Sequence, residues 1–226
     1  MGETALEQVT IDGISYTYRF DQEEKLHIFE TGSANFQFRD WKFGEKNDAV
    51  QACILFDEST GNFNVDTHQY STCLLAGSLV RGSLDGKEIV TDASAIHNLK
   101  ASTGDQLFSL ALWINSSERL KKELQTRDPG AEFFTASIGE DSYSFREWTW
   151  GEKNQAAGRC IISAPGSVEY IINTALFNEL MLAATLAKAP FTVNRETIRQ
   201  LPACLGDILV ELAQKVNHLA EDEKKN

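Results

Sequence analysis

The sequence predicts an α+β fold in which one small unit occurs twice in tandem. A stretch beginning Phe38-Arg39-Asp40-Trp41-Lys42-Phe43-Gly44-Glu45-Lys46-Asn47 returns as Phe145-Arg146-Glu147-Trp148-Thr149-Trp150-Gly151-Glu152-Lys153-Asn154. The correspondence then continues in order: Ala49 with Ala156, Cys53-Ile54 with Cys160-Ile161, Asp66-Thr67 with Asn173-Thr174, Leu75-Ala76 with Leu182-Ala183. Each copy also places period-two alternation ahead of helical periodicity, the order of a hairpin followed by helices.

The offset is 107 from Phe38 to Phe145 and 102 from Asp92 to Asn194, so the second copy is five residues shorter. Past that change Ile96 meets Ile198, Leu99 meets Leu201, Gly104-Asp105 meets Gly206-Asp207, and Asn115 meets Asn217. The length change falls in Arg81 to Glu88, where Gly82-Ser83 and Asp85-Gly86 make an insertion cheap. The expected organisation is an N-terminal β-hairpin extension over 1–25, repeat unit 1 over 26–125 and repeat unit 2 over 126–226.

The extension pairs Val9-Thr10-Ile11 with Ser15 to Phe20 across Asp12-Gly13-Ile14. Each unit then opens with a hairpin: Leu26 to Phe29 with Asn35 to Phe38, and Phe133 to Ile138 with Ser142 to Trp148. A short helix starts near Gly44 and Gly151, with Glu45 and Glu152 in its first turn where a negative charge suits the helix dipole. A strand follows at Cys53 to Phe56 and Cys160 to Ile162, then turns at Ser59-Thr60-Gly61 and Pro165-Gly166-Ser167.

Asp66 and Asn173 are expected to cap the next helix, which carries Leu74, Leu75 and Leu79, or Leu180, Met181 and Leu186. Asp92 and Asn194 cap a short helix, the second ending at Leu201 before Pro202. The last helix is expected to start after Gly104 and Gly206, with Asp105 and Asp207 as caps. The charged tail, Ala220 to Asn226, is expected to fray.

The chain has 226 residues and a formal net charge of −12. An acidic balance repels phosphate backbones, and Lys121-Lys122 and Lys224-Lys225 sit among acidic residues, so no nucleic-acid partner is expected. Met1 to Glu7 has neither the basic nor the apolar region of a signal peptide. The most apolar stretch, Leu180 to Ala189, is too short for a membrane span and contains Lys188, so no membrane insertion is expected and a cytoplasmic location is the default. Cys53, Cys73, Cys160 and Cys204 form no C-x-x-C pair and read as reduced, buried thiols. His27, His68, His97 and His218 do not repeat between copies, so no metal and no cofactor is expected.

The repeated Arg, Trp and Gly-Glu-Lys-Asn positions form the sharpest motif. Catalysis by Glu45 or Glu152 as acid or base, with Lys46 or Lys153 as nucleophile, would need a histidine or second carboxylate repeated alongside, and none is. A structural joint explains the motif more simply: glycine bends the chain, glutamate starts the helix and tryptophan plugs the junction. A partner-binding surface is the third reading, since Trp and Arg are favoured interface anchors. It would use Arg39, Trp41, Glu45, Lys46, Arg146, Trp148, Trp150, Glu152 and Lys153. No phosphate loop, nucleophile elbow or zinc-protease motif occurs.

The end of the second copy, Phe191 to Pro202 and Gly206-Asp207-Ile208-Leu209 through Val216-Asn217, resembles small accessory proteins of phage tails, namely tail assembly chaperones and small baseplate proteins. The resemblance implies a protein without enzymatic activity or cofactor, which binds another component of a tail-like or contractile injection machine during assembly. It implies residence in the cytoplasm or within a phage-like particle. The expected function is therefore a non-enzymatic assembly, adaptor or chaperone protein with a protein partner. Two alternatives stand beside it: an enzyme or small-molecule-binding protein with a site at the interface of the repeats, and an acidic inhibitor or mimic of a basic partner.

Overall fold

The structure, a computed structural model, describes residues 6–57, 59–60, 62–127, 133–163 and 170–217. The expected turn at Pro165-Gly166-Ser167, Gly61, His218, the opening residues Met1 to Ala5 and the charged tail lie outside these. Helices and antiparallel sheets are both present, and the class is α+β.

The chain opens with β1 (Glu7–Ile11), β2 (Ile14–Asp21), β3 (Leu26–Thr31) and β4 (Ala34–Phe38), an antiparallel meander. Asp12 and Gly13 turn β1 into β2 at φ of 49° and 79°, the left-handed pair that suits a two-residue hairpin. The hairpin of β1 and β2 is not a separate extension, because β2 pairs with β3 over Thr17 to Asp21, Tyr18 opposite Phe29.

Next come α1 (Phe43–Ala52) and the ribbon of β5 (Ile54–Asp57) and β6 (Asn62–Val65). In α2 (Thr67–Ser78) the expected cap forms, Asp66 accepting from the Gln69 amide at 2.9 Å. The stretch where the sequence offset changes forms a hairpin, β7 (Leu79–Leu84) and β8 (Lys87–Ile89), turned at Asp85 and Gly86. α3 (Ala93–His97) is capped by Asp92, and α4 (Ala101–Asn115) follows.

The second half holds α5 (Glu118–Lys121), β9 (Leu124–Arg127), β10 (Phe134–Ile138), β11 (Asp141–Phe145) and α6 (Trp150–Arg159). Then come β12 (Ile161–Ser163), β13 (Tyr170–Ile172), α7 (Thr174–Thr185), β14 (Leu186–Lys188), α8 (Arg195–Arg199) and α9 (Ala203–Val216). Asn173 and Asn194 cap α7 and α8 as expected, each accepting an amide bond at 2.9 and 2.8 Å.

Two further expectations are corrected. The strand through Ser142 stops at Phe145, short of Trp148. There the Arg146 amide turns to the Thr185 carbonyl at 2.9 Å and the Trp148 amide to Asn217 Oδ1 at 3.0 Å, so the chain leaves the sheet. The final helices start at Ala101 and Ala203, so Gly104, Asp105, Gly206 and Asp207 lie inside them and neither Asp is a cap. Pro202, at φ −52° and without an amide hydrogen, starts α9 instead.

Compactness divides the chain elsewhere than at the expected repeat boundary. One compact unit draws on residues 1–41 and 66–116, the other on 42–65 and 117–226. The segment holding α1, β5 and β6 thus belongs with the second half, where α1 lies on α7, α8 and α9.

The first unit is a six-stranded sheet in the order β1-β2-β3-β4-β7-β8 with α2, α3 and α4. Tyr16, Phe29, Phe36 and Phe38 are almost fully buried in it, as are Leu107 and Leu110 of α4, and Trp113 of α4 meets the rings of Tyr18 and Phe29 edge-on. The second unit has a four-stranded sheet in the order β14-β11-β10-β9. Tyr143 and Phe145 of that sheet, Met181 and Leu182 of α7, Leu209 of α9 and Phe43 of α1 share one core.

Candidate docking site

The two repeated joints are built alike. The amides of Trp41 and Trp148 both donate at 3.0 Å to an asparagine at the end of the last helix, Asn115 and Asn217, whose own amide nitrogens donate back to Ala111 and Ala213. The Arg39 and Arg146 amides donate at 2.9 Å to Ser78 and Thr185. Trp41 is 2 % exposed, and it fits because Gly77 has no Cβ, which would fall 2.5 Å from the indole nitrogen. The sequence reading offered Trp41 as an interface anchor, and its burial makes it a plug. Trp148 packs edge-on against Phe177 at 5.3 Å.

The glutamates of both joints hold helix starts. Glu45 accepts from the Lys42 amide at 3.2 Å, and Glu152 from the Thr149 amide at 2.7 Å. Arg146 grips Glu152 with two bonds of 2.7 and 3.0 Å. That guanidinium, with the Thr149 amide, holds the Glu152 carboxyl down at about 2. Among the nine residues proposed for partner binding, Glu45, Arg146 and Glu152 hold the starts of α1 and α6, while Arg39, Trp41 and Trp148 tie the preceding chain to helices of their own units. Lys46, Trp150 and Lys153 remain to be placed.

Lys46 belongs to a seat in which α1 lies on α7, α8 and α9. The Phe43 amide donates to the Leu201 carbonyl at 2.8 Å, and Lys42 Nζ reaches Gln200 at 2.6 Å. The Phe43 ring stands on Gly206, where a Cβ would lie 2.3 Å from it. Gly44 in turn lies against Arg199, and Lys46 pairs with Asp207. Glu179 is 1 % exposed at the centre. It accepts from Asn47 at 3.0 Å, Arg195 at 2.8 Å and Arg199 at 2.6 Å, while Arg199 also pairs with Asp48. A buried carboxylate is tolerable only with partners of this kind.

Sequence reasoning missed Glu179, Arg195, Arg199 and Asp48, whose aligned positions hold Thr72, Ala93, His97 and Gln155. The signal that could have found them is Glu179 itself, a charge on the same helix stripe as Ala175 and Leu182, both buried.

The aligned seat in the first unit is open. A groove of about 460 Å³ runs along α2, α3 and α4, lined by Thr72, Leu75, His97, Gly104, Asp105 and Phe108. At its edge His68 Nε2 and His97 Nδ1 are 2.8 Å apart. A Cβ on Gly104 would meet nothing within 4 Å among the described residues. The aligned helix, α6, has the length of α1 and keeps Ala156 buried as α1 does Ala49, yet the other three residues that α1 buries have exposed counterparts in it. Trp150 (76 %), Gly151 and Asn154 stand where Phe43, Gly44 and Asn47 do in α1.

Among the described residues no cluster of three or more His, Cys, Asp or Glu could hold a metal, and no helix is long and apolar enough to cross a membrane. Searches of protein-family models, curated proteins and solved structures find no match to this chain.

Proposed function

We propose that the protein is a non-enzymatic adaptor or assembly protein whose working element is a groove that receives a helix. One observation carries the reading: α1 fills the seat on α7, α8 and α9, while the aligned groove on α2, α3 and α4 stands open with its glycine and aspartate in the same places. The repeat is then a duplication of a docking module. A groove floored by Leu75 and Phe108 and edged by Asp105 suits an amphipathic helix with an aromatic residue and a cation. The likeness of Phe191 to Pro202 to tail assembly chaperones points the same way, and we place the protein with a tail-like or contractile machine, in the cytoplasm or a phage-like particle.

The experiment is a groove block. Gly104→Trp projects into open space, so the chain keeps its circular dichroism spectrum while the groove is filled. Quantitative affinity purification should then show partners of the wild-type protein lost from the variant. An identical set of partners on both would sink the helix-docking reading.

A further inference from the structure

We infer that the occupant of the open groove is α6 of a second copy of this chain, so that copies join head to tail. This rests on the helix-docking reading and names its partner. The filled seat supplies the template, and each of its key contacts has a counterpart on the two free surfaces. Phe43 on Gly206 becomes Trp150 on Gly104, and Lys46 with Asp207 becomes Lys153 with Asp105. The Phe43 amide bond to the Leu201 carbonyl becomes one from Trp150 to Leu99.

The differences between the seats match as well as the identities. Arg199 is replaced by His97, and Asp48, its ion partner, is replaced by Gln155. Glu179, which receives Asn47, is replaced by Thr72, an uncharged acceptor for Asn154. Charge has thus been removed from helix and groove together, so α6 in the open groove leaves no unpaired buried ion. Gly104 fits the same account. A glycine inside a helix loses stability against alanine, and here no neighbour within 4 Å among the described residues requires it. A docked indole would require it, as Phe43 requires Gly206.

Each copy carries one knob, on α6, and one groove, on α2, α3 and α4, and the two are not the same surface. The contact is therefore heterologous, and it grows into a ring if the rotation closes or a filament if it does not. Growth buries an indole that is 76 % exposed in the single chain.

The test uses purified full-length protein and two half-blocked variants. Wild type should show a mass that rises with concentration in light scattering and native mass spectrometry. Trp150→Ala keeps the groove and loses the knob, and Gly104→Trp does the reverse. Each should be monomeric alone, and their mixture should give a 1:1 dimer that grows no further. Lys153→Glu should weaken wild-type assembly by about tenfold or more through its charge clash with Asp105, and Lys153→Glu mixed with Asp105→Lys should recover it.

A wild type that stays monomeric, or a mixture of half-blocked variants that does not pair, overturns the inference. If Gly104→Trp still loses outside partners in that case, the adaptor reading survives with a different occupant. If it loses none, both fall.

Discussion

Phe43 and Trp150 occupy the same place in two helices of equal length, and the structure assigns them unequal consequences for stability. Phe43 is 1 % exposed within the core of the second unit, while Trp150 is 76 % exposed. Removing a buried phenylalanine side chain loses its transfer free energy and leaves a cavity, about 3–5 kcal/mol in all. Over Gly206 there is no neighbouring Cβ to close the gap, so collapse gives little relief. Trp150→Ala in the dilute single chain should change stability by no more than about 0.5 kcal/mol, as for an exposed surface residue.

The assay is urea unfolding followed by far-ultraviolet circular dichroism, at a protein concentration low enough to keep copies apart. With a slope of about 2 kcal/mol per molar urea, Phe43→Ala should lower the midpoint of the second unit by about 1.5–2.5 M, and Trp150→Ala by about 0.25 M at most. Equal effects of the two substitutions, or a loss below about 1 kcal/mol for Phe43→Ala, would refute the placement of α1 and α6.

Four further outcomes follow from single sites. Glu179→Ala should cost about 2–3 kcal/mol by urea unfolding, because it orphans Asn47 and two arginines, though Arg195 and Arg199 reach solvent and soften the loss. Thr72→Ala, at the aligned position, should cost under about 0.5 kcal/mol. Burial, and then the Asp141 charge, push the Tyr143 phenol up to about 12 from 10.0. Its folded pKa is raised, so its contribution is whole below pH 10 and is lost as pH rises from 10 to about 12, on the order of 3 kcal/mol in all. Tyr143→Phe should flatten that alkaline loss in unfolding curves. Pulsed alkylation with peptide mapping should label Cys73, which is partly exposed, ahead of Cys53, Cys160 and Cys204. Burial raises the Cys160 thiol and keeps its thiolate scarce, so fast native labelling there would contradict the packing.

Local structure was legible where local chemistry decides it. Alternation and turn glycines placed the hairpins, and Asp66, Asp92, Asn173 and Asn194 announced helix starts that their side chains do cap. What escaped depends on residues far apart in the chain. Gly206 reads as the residue just ahead of the last helix, yet it sits inside α9, where the Phe43 ring lies on it. Trp41, Trp148 and Trp150 look equivalent as anchors, yet the first is buried by a gap at Gly77 and the last has no cover. The assignment of 42–65 to the second compact unit was also hidden, because nothing within α1 says which groove it will fill.

The paired glycines offer the most exacting check, because one substitution should act with opposite sign at the two positions. In Gly206→Ala the new Cβ would sit 2.3–2.9 Å from three atoms of Phe43. Neither the ring nor the helix backbone can give that much without opening the seat, so a loss of about 1–3 kcal/mol is expected, as for other overpacked cores. In Gly104→Ala the new Cβ meets open space, and alanine is the better helix former, so the dilute chain should gain about 0.5 kcal/mol. At higher concentration the same methyl stands where the Trp150 ring of a second copy would lie, and it should weaken self-association. A variant more stable alone and poorer at assembly would be hard to explain by any role for Gly104 within its own chain. If Gly104→Ala instead destabilises the dilute chain, the openness of that groove is wrong, and the case for α6 as its occupant goes with it.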